Sequence, residues 1–229
     1  MPSPLFAVLI YGVMGVMGVI GIPALLSDDW SRRWKKLYCK IVFRLLRAVY
    51  GIRVTVEGEV PRGDVLIAAK HQSLLDVLII YHALEKPRFV MKRELMWTPV
   101  FGLYARRSGA VPIDRRPRHG AAKELVEAFE GVKGQIVIYP QGTRVAPGAT
   151  APYRRGITRM AEATGRPVIP AATNSGLFWA KGGRMQGPGT AVVRFGPTFA
   201  GDLPAAELMT ETVSWIEIES RELAGLEPL

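Results

Sequence analysis

Cysteine is almost missing from this 229-residue chain: Cys39 stands alone. An internal disulfide is therefore excluded. Neither a C-x-x-C nor an H-E-x-x-H spacing occurs, so no zinc site and no metal cofactor is expected. The G-x-S-x-G turn of serine hydrolases is absent. So are RNP-like and helix-turn-helix signatures, internal repeats and low-complexity tracts. Acid is in short supply, with 20 Asp and Glu against 30 Lys and Arg and a formal net charge of +10. That balance suits polyanionic partners: nucleic acid, anionic lipid headgroups or phosphorylated substrates. What the chain has in quantity is apolar residues, 48% of the total. Its mean hydropathy of +0.14 is high for a purely soluble protein.

The apolar excess begins at the N-terminus. Leu5 to Leu26 is about 22 residues without a charge. As one helix it would be about 33 Å long, against a hydrocarbon core of roughly 30 Å. No Lys or Arg precedes the run and no A-x-A pattern follows it, which argues against a cleaved signal peptide. Gly12, Gly15, Gly18 and Gly21 recur every third residue, a spacing that lets another helix approach closely. Arg32, Arg33, Lys35, Lys36, Lys40, Arg44 and Arg47 follow, with Leu37, Tyr38, Ile41, Val42, Leu45 and Leu46 between them at helical spacing. This second segment reads as a basic amphipathic helix on an anionic membrane surface, or as a helix packing that face on the domain. Trp30 and Trp34 suit the headgroup level, and the cations place their side at the cytoplasm. The expectation is a membrane-anchoring pair of helices over residues 1–50, spanning or re-entrant, at the cytoplasmic (inner) membrane. The rest of the chain, a domain over residues 51–229, would face the cytoplasm. Cys39, beside three lysines, reads as a small packing residue and less well as an activated thiol.

The body alternates strands with helices. Ile52, Val54 and Val56 alternate with Arg53, Thr55 and Glu57, a half-buried strand. Further strands are expected over residues 65–69, 89–92, 110–113, 135–139, 168–172 and 191–195. Helices are expected over 74–84, 99–107, 121–132, 153–163 and 205–223. The implied architecture is α/β, a mixed, largely parallel sheet covered by helices.

The chemistry centres on Lys70-His71-Gln72-Ser73-Leu74-Leu75-Asp76. It places an imidazole and a carboxylate at a strand-to-helix turn. A neutral imidazole accepts a proton near pH 7, and a carboxylate on its other nitrogen fixes the tautomer. Ser73 and Asp76 also form an S-x-x-D capping pattern, which explains the acid without catalysis. His82, in a helix, and His119, in a basic loop, read as structural or exposed.

Three more blocks follow: Gly109 to Ile113 with Asp114 and Arg115; Gln141-Gly142-Thr143-Arg144 after a strand; and Val168-Ile169-Pro170. In this order and spacing the four blocks resemble the glycerolipid acyltransferase family over residues 65–180. Asn174 to Trp179 also resembles its bacterial members. Lys70 stands where the family often has Asn, and Gln141 where it usually has Glu. The resemblance implies a glycerol-3-phosphate acyltransferase-like fold and transfer of a fatty acyl group from acyl-CoA or acyl-carrier protein to lysophosphatidate. No cofactor beyond the thioester is implied. His71 and Asp76 would be the base and its orienter. Arg115, Arg144, Gln141, Gly142, Thr143 and Lys92 would form the acceptor site, with arginine forks on the phosphate. The bland alternatives are an Arg115 paired with Asp114, an Arg144 in a turn, and a solvated strand end at Lys92 and Arg93. Rival readings are another lysolipid acceptor such as a lyso-aminolipid, a serine hydrolase, and a membrane-tethered nucleic-acid-binding module.

Overall fold

The computed structural model describes residues 4–113, 127–129 and 131–227. Asp114, Arg115, His119 and most of the helix expected over 121–132 lie outside them.

The chain opens with α1 (Pro4–Ile20), a 3₁₀ turn (Ile22–Leu26) and α2 (Asp28–Tyr50). Then come β1 (Ile52–Glu57), β2 (Leu66–Ala69), α3 (Leu74–Ala83), β3 (Pro87–Lys92), a second 3₁₀ turn (Arg93–Trp97) and α4 (Phe101–Arg107). The remainder is β4 (Val111–Ile113), β5 (Gln135–Ile138), α5 (Gly156–Thr164), β6 (Val168–Thr173), the short α6 (Ser175–Phe178), β7 (Gly189–Phe195) and α7 (Ala205–Leu223).

Among the described residues seven strands form one sheet in the order β1-β7-β6-β2-β5-β3-β4. Every neighbouring pair is parallel except β6 and β7. The mixed, largely parallel sheet follows from the alternation of strands with helical crossovers, because parallel neighbours need such connections. β2 lies at the centre, and all four of its residues are buried, as a strand covered on both faces requires. One apolar cluster, including Ile67, Leu75 and Ile79, lies on the face covered by α2 and α3. A second, including Leu66, Ile157 and Ile216, lies under α5 and α7.

The N-terminal segment differs from the single long helix expected. α1 has 17 residues, about 25 Å at 1.5 Å per residue. Pro23 breaks the run, since it lacks an N–H and disfavours helical geometry in the residue before it. Among the described residues no helix is long and apolar enough to cross a membrane. Phe6 and Ile10 of α1, and Val42 and Leu46 of α2, belong to the core cluster beneath the sheet. The apolar side of α2 expected to meet lipid is thus turned largely onto the protein. Arg33, Lys40, Arg44 and Arg47 remain exposed on its other side. Cys39 is buried, and burial pushes its thiol up to about 12, which removes the activated-thiol reading.

Candidate active site

The site forms where β2 ends and α3 begins. In parallel α/β sheets ligands bind beyond the carboxyl ends of the strands. His71 sits two residues past β2 with its ring partly exposed, while Asp76 is completely buried. His71 Nδ1 and Asp76 Oδ1 are 2.9 Å apart. The other carboxylate oxygen, Oδ2, accepts from the backbone N–H of Gln72 at 2.9 Å and of Ser73 at 2.6 Å. It also accepts the Ser175 hydroxyl at 3.2 Å. Ser73 caps α3 by accepting from Leu75 N–H. The capping and orienting readings of Asp76 are therefore both satisfied, one by each oxygen. An ionised Asp76 fixes the Nδ1–H tautomer of a neutral His71 and leaves Nε2 as the proton acceptor.

Tyr139, just past β5, stacks on the imidazole with centroids 4.1 Å apart and planes 26° apart. Phe89 of β3 continues the aromatic layer, 6.2 Å from Tyr139. The Tyr139 hydroxyl is buried and holds its proton, chiefly through burial and then through the nearby Asp76 charge.

The loop Gln141 to Arg144 is tied to the histidine through its backbone: Val145 N–H donates to His71 C=O at 2.8 Å. Thr143 and Arg144 are exposed on it. The Gly142 N–H donates to Tyr139 C=O at 2.9 Å, closing a turn. Gly142 has φ +69°, a conformation glycine adopts without strain. A side chain there would meet Arg154 only at ordinary contact distance, so the backbone conformation is what selects glycine. Gln141 is buried, with Nε2 donating to Ala151 C=O at 3.3 Å and Oε1 without a hydrogen bond among the described residues. It braces the loop from inside. Lys92, at the end of β3, is half exposed and pairs with Glu94 at 3.2 Å. Arg115 lies outside the described residues. His82 lies in the last turn of α3, packed edge-on against Phe43. Burial, then Lys36 and Lys40, lowers its pKa. Among the described residues no cluster of three or more His, Cys, Asp or Glu side chains is placed to hold a metal ion.

Two supports escaped sequence reasoning. The first is the turn after β6. Ser175 reaches Asp76, and Gly176 N–H donates to Gln72 Oε1 at 3.0 Å. Asn174 joins β7 to the end of α7, bonding Val192 N–H, Thr190 C=O and Leu223 C=O. The second is Lys70. It is 2% exposed, and its ammonium pairs with Glu217 of α7 at 2.5 Å. Tyr153 donates to the same carboxylate oxygen at 2.5 Å. The available signal was Glu217 itself, an acid beside Ile216 on the buried side of an amphipathic helix.

This arrangement is a buried carboxylate holding a partly exposed imidazole at the carboxyl end of a central strand, and such a pair can accept a proton from a neighbouring group. The "Acyltransferase" family model matches residues 51–174, which include His71, Asp76 and the Gln141 to Arg144 loop. The chain belongs to this family and is an O-acyltransferase. A 1-acyl-sn-glycerol-3-phosphate acyltransferase of Pseudomonas aeruginosa is 33% identical over 201 residues, 84% of this chain and 77% of that protein. A protein of the same name from Escherichia coli is 28% identical over 141 residues, 58% of each chain. The crystal structure of the 1-acyl-sn-glycerophosphate acyltransferase of Thermotoga maritima shares the fold. Its TM-score is 0.79 at 21% identity, with 98% of this chain and 95% of that one covered.

Proposed function

We propose that the protein transfers a fatty acyl group from an acyl thioester, acyl-CoA or acyl-carrier protein, to the free hydroxyl of lysophosphatidate, forming phosphatidate. The observation that carries this reading is the 2.9 Å contact between His71 Nδ1 and Asp76 in a chain of the acyltransferase family. His71 Nε2 takes the hydroxyl proton as the oxygen attacks the thioester carbonyl. The tetrahedral intermediate collapses, the C–S bond breaks, and the imidazolium returns the proton to the leaving thiolate. Asp76 stabilises the imidazolium in between, as in an oriented triad whose nucleophile is the substrate. No enzyme-bound acyl intermediate and no cofactor is called on. Arg144, exposed on the loop tied to His71, and Arg115 supply the forks for the acceptor phosphate, with Lys92 adding charge.

The protein acts at the cytoplasmic face of the inner membrane. Supporting this are the outer side of α1, where Val8, Val16, Val19 and Ile20 are all more than half exposed, and the cationic side of α2. With α1 about 25 Å long, insertion into one leaflet fits better than a full span.

The test uses purified protein, a labelled acyl thioester and two acceptors, lysophosphatidate and a phosphate-free lysolipid. Lysophosphatidate should react faster, and Arg144→Ala should reduce its rate about ten- to a hundredfold, the scale of a lost charged hydrogen bond. Equal wild-type rates on both acceptors, untouched by Arg144→Ala, would exclude lysophosphatidate as the preferred acceptor and leave acyl transfer standing.

A further inference from the structure

A second set of exposed apolar side chains lies outside α1, on the segment that follows β3. The 3₁₀ turn after β3 and the helix α4 present Leu95, Trp97, Phe101 and Leu103 to solvent, with Trp97 77% and Leu103 50% exposed. Clustered exposure of large apolar residues marks an interaction surface. The segment is held in this shape against strain. Val100 has φ 61° and ψ −61°, and Phe101 N–H reaches Pro99 C=O at 2.6 Å, a γ-turn of the rare, unfavourable hand on a β-branched residue.

The contact that holds it comes from α1. A Cβ on Gly18 would fall 2.0 Å from Val100 Cγ1, so only glycine admits the valine there. The Tyr104 hydroxyl donates to Gly18 C=O at 3.0 Å. The apolar segment is thereby fastened to α1 beside its exposed Val16, Val19 and Ile20. Cations accompany it: the Arg106 guanidinium lies 5.1 Å from the centroid of the Trp97 ring, and Arg107 is exposed next to it. Tryptophan with a neighbouring cation suits the headgroup layer.

We propose that Leu95, Trp97, Phe101 and Leu103 form a second lipid-inserting element, continuous with the outer side of α1, that seats the protein on an anionic bilayer. The inference rests on the membrane reading of α1 given above. Lipid fits better than an acidic carrier protein because large apolar side chains dominate the surface and the cations flank them. The segment leaves the sheet at the carboxyl end of β3, the end at which His71 and Tyr139 lie. Inserting it brings the mouth of the site to the surface where a lysolipid resides.

The experiment places a reporter at one position. Trp97→Cys is labelled with an environment-sensitive fluorophore; Cys39, buried and with its thiol pushed up to about 12, stays unlabelled. Vesicles of phosphatidylethanolamine and phosphatidylglycerol, 3:1, are added to the full-length protein. The label should shift to the blue and brighten. In a flotation assay, Leu95→Ser/Trp97→Ser should lower the vesicle partition coefficient by about tenfold or more, as loss of two large buried apolar groups implies. Turnover of a dispersed short-chain acceptor should be retained, showing that the fold survives. If wild type binds vesicles while the label stays silent and the double variant floats unchanged, the second element is refuted and the α1 reading stands. If wild type does not bind vesicles, both fall. A label that answers only to acyl-carrier protein, or only to protein concentration, assigns the surface to a carrier or a second copy and overturns the proposal.

Discussion

Tyr139 lies nearly flat on the imidazole of His71, 4.1 Å between centroids, while Asp76 holds the same ring edge-on through Nδ1. The histidine is thus fixed in two directions, by a residue past the end of β5 and by one in the first turn of α3. Tyr139→Phe keeps the stack and removes the buried hydroxyl, so rates within about threefold of wild type are expected. Tyr139→Leu removes the stack and should lower kcat by about two- to tenfold, the scale of one aromatic pair, with KM little changed. Steady-state kinetics on the three proteins decides this. An equal loss in Phe and Leu variants would locate the effect in the hydroxyl.

His71→Ala should lower acyl transfer by at least about 10²-fold with the thermal melt preserved, because a general base contributes that much and the ring is partly exposed. Asp76→Asn should be severe in two assays. It weakens imidazolium stabilisation, and it disturbs an oxygen that accepts three donors. A stability loss of about 1–3 kcal/mol in urea unfolding should accompany the lost rate. A fully active His71→Ala protein would remove the proposed base.

The Lys70–Glu217 pair is buried, so breaking one side leaves a charge without its partner. Lys70→Met or Glu217→Leu alone should cost about 3–5 kcal/mol in urea unfolding. Lys70→Met, Glu217→Leu and Tyr153→Phe together remove every polar member of the cluster and should recover most of the loss. If the triple variant is as unstable as the worst single one, packing and not charge accounts for the cluster.

Lys35 of α2 gives a pH signature. It donates to Ser108 Oγ and lies 5.7 Å from the Tyr81 ring centroid. Burial and then Arg32 lower its pKa to about 8, with Arg88 and Arg107 adding and Asp28 opposing. The unfolded chain therefore binds more protons than the folded one between about pH 8 and the usual lysine value of roughly 10.4. This group costs stability in full below pH 8 and progressively less as pH rises through that window. Lys35→Met should be more stable than wild type at pH 7, and the gap should close by about pH 10. Comparing the two proteins in parallel melts cancels the opposite alkaline trend of Cys39, whose folded thiol keeps its proton.

The seven strands were legible because β-branched and apolar runs bounded by Gly and Pro leave little choice of element. The His71/Asp76 spacing was legible because both partners lie in one strand–turn–helix unit. What local pattern could not reveal was long-range. Ser175 meets Asp76 across 99 positions, and Lys70 meets Glu217 across 147. Nor does a helical hydrophobic stripe declare whether lipid or a sheet will cover it: Val42 and Leu46 went to the sheet, while Val16 and Val19 stayed outside. Gly12, Gly15, Gly18 and Gly21 look alike in sequence. Yet only Gly18, against Val100, and Gly21, against Trp34, are sites of close approach, and the other two meet nothing within 4 Å.

The sheet order carries a consequence for synthesis. Among the described residues β1 has a single strand neighbour, β7, and the register pairs Ile52 with Gly189 through Glu57 with Arg194. Roughly 140 residues must leave the ribosome between the two, which takes about 7–28 s at 5–20 residues per second. During that interval the nascent chain carries an unpaired strand, and the contact of Phe6 with Trp179 has yet to form. β1 must wait for β7 before it can pair, so it is where a chaperone or a stray strand would compete with native folding.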